Sequence, residues 1–489
     1  MNVMPDGTPI RRVLVVAYVF PPAGGAGVQR VTKFVKYLPE FGWDCSVLTV
    51  ANPSVPVFDE TLAKEIPEST VVRQARTLEP GYALKNAVSA GSDTASSSTQ
   101  GGGLKKLIKS MVRAVGNAVL QPDAQILWYP GAVKEGMQLL SELKHDAIFV
   151  TAPPFSSFVT GAALSRRSGL PLIVDYRDEW GISNQFQENR QKSSLSHCLQ
   201  NRMQQKVLRQ ASAVVATTGR SAESVTESVK RANGTATVSC IYNGYDSADF
   251  PVSTRGTDVA CPESNMDASK DSLVSTERRL RIAYVGTLWN LTSIEPVVTA
   301  IEKLAVEDSE KAARIDLVVA GRSTAAQDEI LDRLQTLPCR LIREGYVDHR
   351  KAIEIMRQAD VQCLLLSDVP EAGRVVPAKT FEYLALGGQI LYVGPAGEVS
   401  EILADFPQTD SFLPAETDEI ADYFSRRLEA SRTDSEKADS ALAARFERRT
   451  LTRQLAEILN QTCDTGAELP VVDEAVDELV GREIAEATA

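Results

Sequence analysis

Short, continuously apolar segments alternate along this chain with segments of helical periodicity. The apolar segments of the first half are RVLVVA (12–17), DCSVLT (44–49), AIFVT (147–151), PLIVD (171–175) and AVVAT (213–217). Residues 27–38, between the first two, have the period of a helix. Strands that are apolar on both faces are typical of parallel sheets covered by helices on both sides. The pattern therefore predicts an α/β domain with a doubly wound parallel sheet.

The same alternation begins again after the middle of the chain. Its apolar segments are RIAYV (281–285), DLVVA (316–320), VQCLLL (361–366) and QILYV (389–393). Between the two series, residues 251–278 lack periodicity and are rich in Ser, Asp and Pro, which is typical of a linker. We therefore predict two tandem Rossmann-like domains facing a cleft, with ligands at the carboxyl ends of their strands.

These patterns divide the chain into five predicted regions. The N-terminal domain covers residues 1–250 and contains a flexible loop at about 85–103, where small and polar residues predominate. The linker at 251–278 and the C-terminal domain at 279–440 follow. A helix at 441–463 is predicted to return to the N-terminal domain. Residues 464–489 hold eight acids and one base, which predicts a solvated acidic tail.

Composition narrows the functional classes. The 489 residues carry a net charge of −12 and a pI of about 5.1, which argues against a general nucleic-acid-binding protein. No apolar segment reaches the ~20 residues of a membrane-spanning helix, and the first residues do not resemble a signal peptide. The seven cysteines form no CxxC pair and the three histidines are scattered, so we expect reduced thiols, no structural zinc and a cytoplasmic location.

A glycine-rich segment, PPAGGAG, follows the first predicted strand and precedes the first predicted helix. Gly24 and Gly25 would let a phosphate or a sugar hydroxyl approach the backbone and the helix N-terminus. The spacing matches neither GxGxxG nor a P-loop, so a nicotinamide site is weakly supported. A simple tight turn is the alternative.

An ordered set of motifs resembles family 4 of the glycosyltransferases, which has the GT-B fold. The set comprises the β-α-β unit at 18–49, DYRDEW at 175–180, NGYD at 243–246, AYVGTL at 283–288, GYV at 345–347 and PAKTFEYLALG at 377–387. Each motif is weak alone, but their order along most of residues 12–460 is specific. The resemblance implies a sugar transferase that uses a nucleotide-sugar donor and acts in glycan or polysaccharide biosynthesis.

The resemblance also implies donor-binding residues in the C-terminal domain. Glu382 corresponds to the family's ribose-binding glutamate, and Lys379, three residues earlier, would neutralise the departing diphosphate. Backbone groups complete the predicted donor site: those of Gly286 and Thr287 for the phosphates, and those of Gly345, Tyr346 and Val347 for the base. The alternatives are a capping glutamate, a solvated lysine and an ordinary turn glycine.

Two positions depart from the family pattern. The family's E-x7-E motif requires glutamate at position 374, where this chain has Arg374, and Glu371 lies three residues out of register. Arg374 would instead suit a diphosphate or an acidic sugar. The histidine often found after the fourth strand is absent from TAPPFSS (151–157). No DxD triplet occurs, in agreement with catalysis without a metal or other cofactor.

The acceptor side is predicted near the end of the fourth apolar segment of the N-terminal domain, PLIVD (171–175). Asp178 would orient or deprotonate an acceptor hydroxyl, with Arg177 beside it. A local Asp–Arg salt bridge is the alternative. Trp180 would serve either as a platform for a sugar ring or, as the sequence favours, as part of the loop core.

Residues 104–119 have a helical apolar stripe flanked by lysines and an arginine. A basic amphipathic helix suits an anionic membrane surface, so a peripheral position on the inner face of the membrane is one prediction. A helix packed on the N-terminal domain is the other.

The predicted function is a metal-independent, retaining glycosyltransferase that moves a sugar to a glycan, lipid-linked or small-molecule acceptor. A nucleotide-sugar epimerase with the same fold is an alternative, as is a non-catalytic scaffold that binds glycan or nucleotide. A nicotinamide oxidoreductase is a more distant one.

Overall fold

A computed structural model describes residues 9–53, 58–79, 120–180, 194–250, 278–430 and 440–464. The chain divides into two compact units: Met1–Gly244 with Arg448–Ala489, here the N-terminal unit, and Tyr245–Glu447, here the C-terminal unit. The predicted loop at 85–103 and the predicted basic helix at 104–119 lie outside the described residues. Apart from residues 278 and 464, the predicted linker and acidic tail lie outside them as well.

The N-terminal unit contains a parallel sheet of seven strands in the order β3-β2-β1-β4-β5-β6-β7. The strands are β1 (Arg11–Val16), β2 (Trp43–Val50), β3 (Val71–Ala75), β4 (Ala147–Ala152), β5 (Leu172–Tyr176), β6 (Ala213–Ala216) and β7 (Thr237–Cys240). The inner strands β1, β4, β5 and β6 are almost wholly buried, which matches their continuous apolar sequences.

Helices cover both faces of this sheet. They are α1 (Ala26–Tyr37), α2 (Glu60–Ala63), α3 (Tyr129–Glu142), α4 (Ser156–Ser168), α5 (Ser194–Gln210), α6 (Gly219–Arg231) and, from the C-terminal end of the chain, Arg448–Asp464. The last of these contributes Leu451, Leu455 and Leu459 to a core shared with β1 and α1. Burial of three leucines on one face holds this helix against the N-terminal unit.

The C-terminal unit contains a parallel sheet of six strands in the order β10-β9-β8-β11-β12-β13. The strands are β8 (Leu280–Val285), β9 (Ile315–Ala320), β10 (Arg340–Gly345), β11 (Val361–Leu365), β12 (Gln389–Val393) and β13 (Thr409–Phe412). The helices of this unit are α7 (Glu295–Glu307), α8 (Ser309–Ala313), α9 (Ala325–Asp332), α10 (His349–Gln358), α11 (Lys379–Leu386), α12 (Glu398–Leu403), α13 (Thr417–Glu429) and α14 (Ser440–Ala444). The Arg448–Asp464 helix of the N-terminal unit is α15.

The prediction of two tandem doubly wound parallel sheets is confirmed. Every strand that the apolar pattern predicted is present, and the four strands that it missed are β3, β7, β10 and β13. These four are the edges of the two sheets. These strands are less buried: β3 alternates half-buried and exposed residues before the buried Ala75, and β10 has no fully buried residue. An edge strand has only one neighbour, so it retains polar residues.

The order of the strands fixes where each sheet offers a binding site. In the N-terminal unit, β2 and β3 are added on one side of β1 and β4 to β7 on the other, so the strand order reverses between β1 and β4. In the C-terminal unit it reverses in the same way between β8 and β11. Ligands of open α/β sheets bind outside the carboxyl ends of the strands at such reversal points. The candidate residues are therefore those that follow β1, β4, β8 and β11.

Candidate active site

The glycine segment after β1 lies at the first of these reversal points. Gly25 precedes α1 with φ = 107°, a conformation that favours glycine, and no side chain caps the helix. The first amides of α1 therefore point to the carboxyl edge of the sheet without a side-chain acceptor of their own. Gly24 is half-buried and Gly25 exposed, so this edge is accessible.

A buried ion pair fixes α1, the helix that follows this loop, against β5. Arg30 on α1 donates to Asp175 at the end of β5, with Nη2 2.8 Å from Oδ1, and both side chains are nearly inaccessible. Thr151 donates to the second carboxylate oxygen at 2.8 Å, and Arg30 also donates to the Tyr242 carbonyl at 2.9 Å. The pair thereby joins α1, β4, β5 and the segment after β7. No sequence pattern indicates this pair, because its two partners are 145 residues apart.

The predicted acceptor-side residues follow β5. Arg177 donates to the carbonyls of Gly27 and Pro153, so it connects the first turn of α1 to the loop after β4. Asp178 is exposed at the same edge. Trp180 is 2 % exposed and stacks on Phe155 with 4.7 Å between ring centroids. The tryptophan therefore occupies the loop core, the position that the sequence favours.

A second buried polar cluster lies beside this edge. Tyr18 donates to Glu79, which also accepts from Gln125 at 2.9 Å. Nearby, Asp123 accepts from the Ser156 amide at the start of α4 at 3.1 Å, while its Oδ1 has no hydrogen-bond partner among the described residues. Burial raises the pKa of Asp123 to about 6. Sequence patterns gave no sign of this cluster, since its chemistry depends on burial.

The raised pKa of Asp123 predicts a pH-dependent cost in stability. The folded-state pKa lies above the usual value of 3.8, so ionisation opposes folding. The contribution of Asp123 is most favourable below about pH 4 and is lost as the pH rises through about 6, a difference on the order of 3 kcal/mol. We expect Asp123→Asn to raise the melting temperature above pH 7 and to have little effect at pH 4.

Thermal unfolding of wild type and Asp123→Asn between pH 4 and 8 measures this difference. A constant gap in melting temperature across that range would contradict the assignment. Asp146→Asn is a suitable control, because its half-buried carboxylate accepts a backbone amide, that of Arg12, in the same way.

Three neighbouring strands of the C-terminal unit end in close backbone contact. The Gly286 amide donates to the Ala320 carbonyl at 2.9 Å, and the Gly321 amide donates to the Gly345 carbonyl at 2.7 Å. Gly321 has φ = 137°, and a Cβ there would overlap the Gly286 carbonyl oxygen. Only glycine permits this approach, so the ends of β8, β9 and β10 form one continuous backbone surface. Thr287 is exposed beside it.

Helix α11 places Glu382 and Lys379 at the β8/β11 reversal point. Lys379 Nζ lies 2.6 Å from Glu382 Oε2, and Glu382 is 8 % exposed. The buried Tyr383 fixes the helix, since its hydroxyl donates to the Cys363 carbonyl of β11 at 3.2 Å and accepts from the Val285 amide of β8 at 3.4 Å. Tyr383 thus anchors α11, the helix that carries Lys379 and Glu382, to the two strands between which a ligand is expected.

His349, the first residue of α10, lies beside the same carboxylate. Its Nδ1 is 4.0 Å from Glu382 Oε1, and its Nε2 is 3.3 Å from Asp249 Oδ2. The sequence analysis missed this contact because His349 and Asp249 come from distant segments of the C-terminal unit. Together the three residues place Glu382 between a lysine and a histidine.

Comparison with known proteins now bears on these two reversal points. Residues 24–240 match the model of the glycosyl transferase 4-like domain. HepE from Anabaena, solved with UDP-glucose, superposes with a TM-score of 0.55 at 14% identity over 92% of this chain and 99% of that one. The UDP-forming α,α-trehalose-phosphate synthase from Burkholderia vietnamiensis gives 0.56 at 11% identity, over 93% and 99%. No curated protein sequence matched. Residues 24–240 thus match a glycosyl transferase 4-like domain, and the chain has the GT-B fold.

The two kinds of comparison carry different information. The family match covers residues 24–240 of the N-terminal unit, which include Gly24, Gly25 and the DYRDEW segment. The structural matches, at identities this low, establish the fold of both units. They confirm the GT-B fold and, over residues 24–240, the family resemblance that the sequence motifs implied.

The C-terminal unit has an ion pair where the family pattern requires a single glutamate. Arg374 Nη1 lies 3.0 Å from Glu371 Oε2, and both side chains are partly exposed. Glu371 has φ = 69°, a backbone conformation uncommon for residues other than glycine. The short turn between them begins with the buried Ala372, which anchors it. The acid that is out of register in sequence therefore meets Arg374 in space.

Among the helices of the described residues, none combines the length and apolar character needed to cross a bilayer.

Proposed function

We propose that this protein is a glycosyltransferase that transfers a sugar, with retention at the anomeric carbon, from a nucleotide-sugar donor to a glycan, lipid-linked or small-molecule acceptor, and that it needs no metal cofactor. The observation that carries the proposal is the Lys379–Glu382 pair on α11, held at the β8/β11 reversal point. The binding of UDP-glucose by HepE, which has the same fold, supports a donor of this class.

The pair has the chemistry that a nucleotide sugar requires. An ionised carboxylate accepts hydrogen bonds from two adjacent hydroxyls, which is how Glu382 would hold a ribose diol. Lys379 neutralises Glu382 in the free protein and is close enough to move to a diphosphate when ribose hydroxyls replace it. The amides that follow Gly286 would add neutral donors. A lysine that stabilises the departing diphosphate lowers the barrier to transfer.

The acceptor would bind the N-terminal unit, at the β1/β4 reversal point. Asp178 is exposed there and would orient the attacking hydroxyl, while Arg177 fixes the loops around it. In front-side transfer, the leaving diphosphate itself helps to remove the proton of that hydroxyl, so retention needs no covalent intermediate. Lys379 and backbone amides supply the charge stabilisation that a metal ion supplies in other transferases.

A panel of nucleotides tests two points together: the class of the donor and whether its binding requires a metal ion. Thermal shifts are measured with UDP, GDP, ADP and CMP, first with a chelator and then with Mg²⁺. A ligand at 100 times its dissociation constant stabilises the state that binds it by about 2.7 kcal/mol, which corresponds to several degrees. The proposal expects one nucleotide to act in the chelator. A shift that appears only with Mg²⁺ would contradict metal independence, and no shift at all would favour a non-catalytic scaffold.

Turnover separates the transferase from an epimerase. A transferase releases nucleotide only slowly unless an acceptor is present, whereas an epimerase converts the nucleotide sugar alone. Conversion of the donor to an epimer without any acceptor would replace the proposed function.

Lys379→Ala is expected to lower turnover by about 100-fold while weakening product nucleotide binding by less than about 10-fold. The reason is that charge on the diphosphate increases in the transition state, so the lost cation costs more there than in the ground state. Single-turnover rates and dissociation constants for the product measure the two effects. The exposed Lys351→Ala on α10 is the matched control, because Lys351 also pairs with a glutamate three residues later. Equal losses in rate and binding would contradict the role of Lys379.

A further inference from the structure

A histidine without an assigned role lies between two carboxylates at the β8/β11 reversal point. His349 Nε2 is 3.3 Å from Asp249 Oδ2, and its Nδ1 is 4.0 Å from Glu382 Oε1. At most 17 % of any of these three side chains is exposed. Each ring nitrogen thus has a carboxylate beside it, and an imidazole can donate a hydrogen from both nitrogens only when it is protonated.

Two elements of the C-terminal unit fix the ring in this position. His349 is the first residue of α10, whose inner face is buried and whose N-cap, Asp348, accepts from the Lys351 amide at 2.8 Å. Asp249 is the last residue of a short 3-10 turn, Ser247–Asp249. The histidine and the aspartate are therefore held by separate backbone segments, and their contact depends on the tertiary structure.

The charges around the imidazole oppose one another in the free protein. The carboxylates of Asp249 and Glu382 favour a proton on the ring. Lys379, whose Nζ lies 2.6 Å from the other oxygen of Glu382, and the positive end of the α10 dipole disfavour it. On α10 itself, Asp348 and Arg350, the two neighbours in sequence, contribute one charge of each sign.

A bound nucleotide would change this balance. Lys379 would move from Glu382 to the diphosphate, and the ribose hydroxyls that replace it carry no charge. Glu382 and Asp249 would then lie beside the imidazole with less positive charge near them. Imidazole is the side chain that ordinarily changes its charge between about pH 5 and 8, so a proton from solvent can restore the lost cation.

We propose that His349 is a positioning residue: as an imidazolium it replaces Lys379 as the counter-ion of Glu382 when the nucleotide binds, and Asp249 holds its ring. The proton comes from solvent, so nucleotide binding is coupled to proton uptake. This inference rests on the proposed function, because it assumes that Glu382 binds the ribose of a nucleotide. It adds a regulation of the same site by pH, since the contribution of His349 to donor affinity is lost as the pH rises.

Isothermal titration of the nucleoside diphosphate that the wild type prefers tests this coupling. His349→Gln retains a side chain that can form hydrogen bonds but carries no charge. It is expected to weaken binding about fivefold at about pH 6 and less than about twofold at about pH 8.5. The ionisation of the nucleotide itself affects both proteins equally, so it cancels in the comparison.

His197→Gln is the matched control, because it removes an exposed histidine on α5 of the N-terminal unit. It should bind the nucleotide as the wild type does at both pH values. A loss in His349→Gln that is the same at both values, or no loss at either, would overturn the role of the imidazolium. Melting temperatures without nucleotide identify a loss of structure, which would weaken binding at both values alike.

Asp249→Asn tests the second part of the proposal. It is expected to weaken binding about threefold at about pH 6 and to add little to the loss in His349→Gln when the two are combined, because the aspartate acts through the ring. Additive losses in the double variant would show that Asp249 acts independently of His349 and would contradict its assigned role.

The outcome for His349 is separable from the outcome for the proposed function. If His349→Gln binds the nucleotide as tightly as the wild type at both pH values while Glu382→Ala does not, the role of His349 is wrong and the donor site stands. If the wild type binds none of the nucleotides, the proposed function fails first and the role of His349 fails with it.

Discussion

Glu382→Ala is expected to weaken binding of the nucleoside diphosphate by about a hundredfold. Glu382 is 8 % exposed and is the carboxylate at the β8/β11 reversal point that would accept from both ribose hydroxyls. A hydrogen bond to a charged group contributes about 1.5–3 kcal/mol, so the loss of two amounts to a hundredfold or more. Isothermal titration in a chelator measures the change directly.

A matched control lies on α10, the helix that precedes α11 in the sequence. Glu354→Ala removes a glutamate that forms an i,i+3 pair with Lys351 at 3.1 Å, as Glu382 does with Lys379. Glu354 is exposed on α10, so its loss should leave nucleotide affinity within about twofold of wild type. Wild-type affinity in Glu382→Ala would remove the observation on which the proposed function depends.

Arg30→Met is expected to lower the free energy of unfolding by about 3–5 kcal/mol, because it leaves the Asp175 carboxylate buried and without its cation. At most 2 % of either side chain is accessible to solvent, and the pair connects α1, the helix after the glycine loop, to β5. For a unit of this size the change corresponds to a fall of roughly 10 °C in melting temperature. Calorimetry of the full chain measures it.

Two further variants separate the buried charge from general packing. Asp175→Asn in the Arg30→Met background should recover part of the loss, since an amide carries no charge and can still accept from Thr151. Arg12→Met breaks a half-buried pair with Asp44 and should cost less than about 1 kcal/mol. A loss in Arg30→Met no greater than that in Arg12→Met would contradict the importance of the buried pair.

The parts of the candidate site that were predictable are local in sequence. Lys379 and Glu382 are three residues apart on one helix, a spacing that places two side chains on the same face, and the structure has them 2.6 Å apart. The contact of Glu371 with Arg374 is equally local, but it depends on a positive φ that no residue pattern encodes. The roles of these residues in binding remain predictions.

Contacts between distant segments were not predictable. Arg30 meets Asp175 across 145 residues, and His349 meets Asp249 across 100. Nothing in the sequence around these four residues distinguishes them from charged or polar residues on the solvated surface. The pKa of Asp123 likewise follows from burial, which the residue's neighbours in sequence do not determine.

For the fold, the sequence alone determined three features: the fold class, the order of the inner strands along the chain, and the second series of alternating strands and helices after the linker. Inner strands are buried on both faces, so their apolar composition is required wherever they lie. Only the tertiary structure decided the edge strands β3, β7, β10 and β13, the order of strands across each sheet, and hence the two reversal points. An edge strand is half-exposed and its residues need not be apolar, and strand order depends on contacts between segments far apart in the chain.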